Sequence, residues 1–274
     1  MQIIESKDGT TLAVYESGRA EGMPLFLIHG FSQAAMCWRR QTESALADEF
    51  RVVSLDVRGH GASGKPGVAG AYDNSRSFAD DFESVLDALD IESAVLVGWS
   101  MGGNWICDYL RHYGEGRVRG IFLAGATTQQ GTDISQEMFG ATVGESLGGM
   151  FEPDPQTNIA ATQAFLRACT AAPLPPEEFS DFLGFNMLTP PEIRQWVLNR
   201  VADNSDIVAK ITVPVTQVHG SNDGIVLPFA GEYTVQGISH DRGELILYDD
   251  TGHCAFWERA DRFNADLAAF AQGI

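Results

Sequence analysis

Val95-Leu-Val-Gly-Trp-Ser-Met-Gly-Gly-Asn-Trp-Ile-Cys-Asp-Tyr109 is the stretch from which the rest of this sequence can be read. Ala94 to Val97 is a short apolar run rich in β-branched residues. After Ser100 the apolar residues Met101, Trp105, Ile106 and Tyr109 recur at helical spacing, so the period changes from strand to helix at the serine. Gly98 and Gly102 bracket Ser100 as Gly-x-Ser-x-Gly. Both must be small if a strand and a helix are to cross closely at a sharp turn. Such a turn holds the Ser100 hydroxyl proud of the sheet edge, beside the free N–H groups and positive dipole end of the helix that begins near Met101.

The bare pattern carries little weight. Glycine and serine are common enough that it arises by accident in about one chain in ten of this length. Gly144-Glu-Ser-Leu-Gly148 matches it as well. No apolar strand leads into Ser146, and Gly149 and Pro153 follow where a helix should begin, so context selects Ser100 as the candidate nucleophile.

The chain has 274 residues, enough for one large domain with a sizeable core. Its 18 basic and 37 acidic side chains give a formal net charge of −19. That field repels nucleic acid and anionic membrane, so neither is expected as a partner. No apolar run approaches the roughly 20 residues needed to span a bilayer. The first residues lack the basic patch and apolar core of a secretory signal, so a cytoplasmic protein is expected. Cys37, Cys107, Cys169 and Cys254 are far apart without Cys-x-x-Cys spacing, which reads as reduced thiols and no zinc site. No metal, nucleotide or flavin signature stands out, and no cofactor is expected.

Taken in order, residues 1–18 read as two short strands joined at Asp8-Gly9. Leu25 to His29 is a fully apolar run ending at Gly30, as in a strand buried on both faces. Ala34 to Phe50 reads as a helix, Arg51 to Leu55 as the next buried strand, and Asp56 to Tyr72 as a long loop. A strong helix runs from Ser77, its expected N-cap, through Leu89. The strand at Ala94, the helix after Ser100 and a strand at Val118–Ala124 follow. Strands alternating with helices predict a parallel sheet with right-handed crossovers. From about Thr127 to Ile207 the alternation stops, and this Pro-rich, helical segment reads as an inserted cap. The sheet resumes at Val213–Val218 and Glu244–Tyr248, and an amphipathic helix closes the chain from about Phe256 to Ala271. The expected division is a core of residues 1–126 and 208–274 with a cap of 127–207.

A serine hydroxyl is a poor nucleophile until a base removes its proton, so Ser100 needs a histidine and, usually, a carboxylate to orient it. Six histidines compete. His29 and His219 end strands and precede glycine, which suits structural roles. His60 lies in a glycine-rich loop, His112 near a helix end and His240 in a polar stretch. His253 differs, because Asp249-Asp-Thr-Gly-His253 follows the last strand, where a parallel sheet presents its active residues. Asp223, in His219-Gly-Ser-Asn-Asp223, occupies the same kind of loop. Asp249 and Asp250 are its rivals, but Asp223 leaves the loop of His253 free to fold over Ser100. An oxyanion needs two N–H donors. Met101 N–H supplies one from the turn, and Phe31 N–H, in the loop after an adjacent strand, is the candidate for the other.

With these residues in hand, the chain resembles the α/β-hydrolase fold superfamily over nearly its whole length. The resemblance rests on His29-Gly30-Phe31, Asp56-Val-Arg-Gly-His-Gly61, Gly98-Trp-Ser-Met-Gly-Gly103, Gly220-Ser-Asn-Asp223 and Gly252-His253, in the order nucleophile, acid, histidine. It implies an α/β architecture with a mostly parallel eight-stranded sheet, a helical lid, acyl transfer to the serine, and structural roles for Asp56 and Arg58. Serine at position 100 departs from the haloalkane dehalogenases and epoxide hydrolases, which attack with aspartate. The Gly-Trp-Ser-Met-Gly form looks like small carboxylesterases, lactone or enol-lactone hydrolases and cofactor-free perhydrolases (haloperoxidases). No proline follows Phe31 as it often does in the last group, and Trp99 stands where carbon–carbon bond hydrolases typically carry asparagine. Some members of the superfamily serve as non-catalytic ligand receptors, against which the complete Ser100, Asp223 and His253 set argues.

Trp99, Phe31, Trp38 and the cap aromatics Phe182, Phe185 and Trp196 are candidates to line an apolar acyl pocket, with packing in the core as the alternative for each. No arginine stands at an obvious strand end to clamp a carboxylate. A small neutral or weakly polar ester or lactone is therefore the expected substrate.

Overall fold

The apolar runs of the sequence become the middle of a sheet, where both strand faces are covered and alternation is not needed. The computed structural model describes residues 1–239 and 242–274. Its strands are β1 (Gln2–Glu5), β2 (Thr11–Gly18), β3 (Pro24–Ile28), β4 (Arg51–Leu55), β5 (Ala94–Trp99), β6 (Val118–Ala124), β7 (Gln129–Gln130), β8 (Ala202–Asp203), β9 (Val215–Gly220) and β10 (Gly243–Tyr248). Eight of them form one sheet in the order β1-β2-β4-β3-β5-β6-β9-β10, and β7 and β8 make a separate two-residue antiparallel ribbon. Pairing is parallel from β4 to β10, while β2 runs antiparallel to both β1 and β4. Every residue of β5 is buried, whereas the edge strand β10 is half-buried along most of its length.

The helices are α1 (Arg39–Thr42), α2 (Leu46–Glu49), α3 (Ser75–Ala88), α4 (Gly102–Tyr113), α5 (Asp133–Met138), α6 (Ala141–Met150), α7 (Pro155–Ala168), α8 (Pro176–Asn186), α9 (Pro191–Leu198), α10 (Ser205–Val208), α11 (Pro228–Gly237), α12 (Ala255–Glu258) and α13 (Ala260–Gln272). Those from α5 to α9 fill the stretch between β6 and β9 that breaks the alternation. Proline opens α7, α8 and α9, where its missing N–H costs nothing.

Several boundaries differ from those read in the sequence. Ala34–Phe50 is a 3₁₀ turn at Ala35–Trp38 followed by two short helices. Ser44 breaks the run: its hydroxyl donates to Gln41 O at 2.8 Å and accepts from Leu46 N at 3.2 Å, competing with the helical ladder. The cap of α3 is Asn74, not Ser77. Asn74 has extended backbone angles and its side chain accepts from Ser77 N at 2.9 Å. The closing helix is split at Arg259, whose side chain is drawn back to Thr251 Oγ1 and Asp250 O. Ser146 lies inside α6, so its Gly-x-Ser-x-Gly motif is part of a helix rather than a strand-to-helix turn.

Ser100, the residue after β5, has a φ of 55°, a left-handed conformation that costs a non-glycine residue about 1–2 kcal/mol. The close crossing of β5 and α4 explains its flanking glycines. A Cβ on Gly98 would stand 2.7 Å from Ile106 Cδ1, and one on Gly102 would stand 2.7 Å from Ile28 O. On α4, Trp105 stacks on Phe78 of α3 with ring centroids 5.4 Å apart, fixing the helix behind the turn. The aromatics Phe263 and Phe270 of α13 cover Phe122 of β6 at 5.3 and 5.4 Å.

Candidate active site

Parallel strands deliver their C-terminal loops to one edge of the sheet, and the loops after β3, β5, β9 and β10 carry the residues singled out above. Ser100 N–H donates to Ala124 O at 3.0 Å, and Ser100 O accepts from Gly103 N and Thr127 N at 3.1 and 3.2 Å. The strained residue is thereby pinned on both sides. A Cβ on Gly30 would lie 2.8 Å from Ser100 Cβ and 3.4 Å from Oγ, so the loop after β3 abuts the hydroxyl. The N–H groups of Phe31 and Met101 donate to no backbone acceptor among the described residues.

The loops after β9 and β10 bring Asp223 and His253 together. His253 Nδ1 lies 2.8 Å from Asp223 Oδ2, with both side chains buried. The other oxygen, Oδ1, accepts from Ile225 N and Val226 N at 2.9 and 3.0 Å. An acceptor-rich carboxylate opposite Nδ1 makes that nitrogen the donor and leaves Nε2 as the basic position. Burial pushes the Asp223 carboxyl up, but the adjacent His253 and the donors from both histidine rings outweigh it and hold it at about 2. The second ring is His219. Its Nε2 lies 2.8 Å from Val226 O and 3.3 Å from Asp223 Oδ2, so a single N–H is directed toward both oxygens.

Other groups hold the His253 loop in place. Trp99 Nε1 donates to His253 O at 3.1 Å, and its ring centroid lies 5.4 Å from that of His253. Glu258 accepts from Gly252 N and Ala171 N, both at 2.8 Å, tying the loop to the segment after α7. Gly125, with φ of 48°, leaves room for the pair. A Cβ there would stand 3.0 Å from Asp223 Oδ2 and 3.1 Å from His253 Nδ1.

The remaining histidines sit elsewhere. His29 and His60 are fully buried, with rings 5.1 Å apart. His29 Nε2 accepts from Val57 N at 3.0 Å and His60 Nε2 accepts from Ser32 N at 3.1 Å. Burial holds them down at about 4 and about 3, so both are neutral braces of the loops after β3 and β4. His112 meets Ser75 Oγ at 2.8 Å, and His240 lies outside the described residues. Asp56 accepts from Ala35 N and Ala62 N at 2.7 and 2.8 Å. Arg58 is buried in an ion pair with Asp81. Both tie loops together.

A cavity of about 40 Å3 opens at Ser100. Phe31, Met101, Asn104 and Thr127 form its inner wall, and Val143, Leu147, Phe165 and Leu198 reach in from α6, α7 and α9. No charged side chain lines it among the described residues. Wider hollows, such as one of about 430 Å3 beside Leu166, Pro173 and Phe179, hold none of these groups.

The expected pocket aromatics must be corrected. Of them only Phe31 lines the cavity. Trp99 braces the His253 loop, as above. Trp38 is fully buried against Phe256 and Phe263, at 4.4 and 6.4 Å. Phe182 and Phe185 pack on each other at 4.9 Å, with Phe182 also against Trp257 at 4.8 Å, and Trp196 stacks on Tyr72 at 5.8 Å. Large rings bury the most area against one another, so they fasten helices together and leave aliphatic groups to shape the hollow. His219, Asn104 and Glu258 were not legible as site residues. Only the spacing of His219 four residues before Asp223 hinted at contact. Among the described residues no group of three or more His, Cys, Asp or Glu is arranged to hold a metal, and no helix is long and apolar enough to cross a membrane.

A strained serine on a strand-to-helix turn, faced by strand-end loops of one largely parallel sheet, places this chain in a known class. Residues 23–260 match the family model of the alpha/beta hydrolase fold, and the chain belongs to that family. It is similar to the crystal structure of an esterase from a Rhodococcus species, 32% identical, with a TM-score of 0.91 over 98% of this chain and 97% of that one. It also resembles a bifunctional esterase/perhydrolase of Acinetobacter calcoaceticus, 27% identical over 98% of this chain and 99% of the relative. A non-heme chloroperoxidase of Burkholderia pyrrocinia is 28% identical over 99% of this chain and all of the relative, 100%.

Proposed function

We propose that the protein is a serine hydrolase that cleaves a small, neutral carboxylic ester or lactone through an acyl-enzyme. What supports this reading is the strained turn at Ser100, whose neighbour Trp99 donates to His253 O, together with the buried hydrogen bond between His253 and Asp223. Ser100 Oγ attacks the carbonyl while His253 Nε2 takes its proton. Asp223 keeps Nδ1–H fixed and stabilises the imidazolium that forms. The oxyanion is held by the N–H groups of Phe31 and Met101. His253 returns the proton to the leaving alcohol, then activates a water that releases the acid.

Substrate size follows from the cavity. About 40 Å3 exceeds the roughly 10–15 Å3 that one water needs but falls far below the volume that encloses a drug-sized ligand. A short acyl chain fits. The lining is uncharged among the described residues, which favours a neutral acyl group, because a carboxylate there would lose its hydration with no cation to replace it.

Turnover of p-nitrophenyl acetate and butyrate tests the reading. Ser100→Ala is expected to lower kcat at least about 1,000-fold and to abolish fluorophosphonate labelling. A variant as active as the parent overturns it. Similarity to the esterase/perhydrolase supports a second outcome, in which hydrogen peroxide replaces water in the second step and a short peracid is released. Peracid formation from acetate and peroxide, dependent on Ser100, measures that branch.

A further inference from the structure

The inner wall of the cavity carries one donor that the mechanism does not use. Asn104 is the third residue of α4, four residues after Ser100, and is fully buried. Its Nδ2 has no hydrogen-bond partner among the described residues. Helical side chains lean toward the N-terminus of their helix, which here is the end at Ser100, and Asn104 accordingly lines the hollow.

The orientation of its amide is fixed by a chain of bonds rather than chosen freely. Arg111 Nη2, which can only donate, bonds Asn204 Oδ1 at 3.1 Å. Asn204 must then present Nδ2 to Asn104, and it donates to Asn104 Oδ1 at 3.2 Å. With its oxygen committed outward to Asn204, Asn104 is left with Nδ2 for the cavity. Nearby polar groups do not claim it. Thr127 Oγ1 donates to Gln129 O at 2.9 Å, and Gln130 Nε2 donates to Val197 O at 2.7 Å. A buried amide donor without a partner costs about 1–3 kcal/mol, so a ligand atom that accepts from it is strongly favoured over one that does not.

We infer that Asn104 selects acyl groups carrying an ether, carbonyl or hydroxyl oxygen a few bonds beyond the scissile carbonyl. The substrate class is thus an oxygen-bearing short acyl ester, or a lactone with such a substituent, rather than a plain alkanoate. Ser100 and Asn104 line the same small hollow of about 40 Å3, so an oxygen two or three bonds from the carbonyl carbon is the one the amide can meet. This inference rests on Ser100 being the nucleophile.

Two isosteric pairs test it: p-nitrophenyl methoxyacetate against butyrate, and 3-methoxypropionate against valerate. Each kcat/KM is divided by the rate of hydroxide hydrolysis of the same ester, which removes intrinsic reactivity. The parent enzyme should favour at least one oxygen-bearing member about 5- to 10-fold, the worth of one neutral hydrogen bond. In Asn104→Leu, whatever its absolute rate, the same ratio should fall to within about twofold of unity; Asn104→Ala replaces it if the leucine variant does not fold. Ratios within twofold in the parent for both pairs, or a preference that survives loss of the amide, overturn the inference. Ser100→Ala is run alongside. Turnover that survives it sinks the nucleophile reading itself, whereas Ser100-dependent turnover with flat ratios sinks only the role of Asn104.

Discussion

Gly30 and Gly125 mark the points where the backbone approaches the reactive groups most closely. Each occupies space into which a Cβ would intrude on Ser100 or on the Asp223–His253 pair. Gly30→Ala makes the cleaner test, because Gly125 also has a positive φ and would add backbone strain to any substitution. The new methyl, 2.8 Å from Ser100 Cβ, must displace either the serine or the Phe31 N–H. An ångström of misplacement is worth about 100-fold in rate. Gly30→Ala should therefore lower kcat on p-nitrophenyl butyrate about 100-fold while remaining folded by circular dichroism. An undiminished kcat would show that the loop after β3 does not set the geometry.

At the level of elements, the helices between β6 and β9 are joined by one arginine. Arg194 of α9 is fully buried and pairs with no carboxylate among the described residues. It donates to Met150 O, Asn158 Oδ1 and Thr162 Oγ1 at 3.2, 2.9 and 3.3 Å, and to Asn186 O at 2.7 Å, linking α6, α7 and α8. Burial lowers its pKa to about 10, so it keeps its charge at neutral pH. Arg194→Met would leave Asn158 Oδ1 buried without its donor and break the links among the helices, and should destabilise the protein by about 2–3 kcal/mol in urea unfolding. It should also raise KM for short esters, because α7 and α9 supply Phe165 and Leu198 to the cavity. Unfolding at the parent midpoint would show that these helices hold without it.

For the whole molecule, two buried histidines contribute to the response to acid. His29 and His60 are held at about 4 and about 3, whereas in the unfolded chain they titrate near about 6.5. Between those values the unfolded state binds protons that the folded state refuses. Their contribution is fully present above about pH 6.5 and is lost as pH falls through about 4. Asp108, pushed up to about 6 by burial beside Arg200, works in the opposite sense, so the total slope is mixed. The difference between variants isolates one group. His60→Gln keeps an acceptor for Ser32 N and a donor for Arg58 O, and its stability should fall less steeply from pH 6.5 to 4 than the parent's, by up to about 1.4 kcal/mol per pH unit. Parallel curves would remove His60 from this account.

The sequence by itself determined the eight strands of the main sheet and their mostly parallel alternation with helices, and it singled out Asp223 and His253, which the structure joins by a hydrogen bond. Apolar runs and changes of period are local properties of the chain, and a parallel sheet sends all its strand-end loops to one edge. Ser100 was separable from Ser146 for that reason: one follows an apolar run and the other does not. Tertiary structure alone decided what lines the cavity. Whether Trp38, Phe182 or Trp196 faces a hollow or another ring depends on partners more than 50 residues away in all three cases, Trp38 with Phe256, Phe182 with Trp257 and Trp196 with Tyr72. Hydrophobic burial is non-directional, so periodicity marks a side chain as inward without saying what it meets there. The same limit hid Asn104. Its unpartnered amide nitrogen becomes significant only once Arg111 and Asn204, the latter 100 residues on, fix which end of the amide points into the cavity.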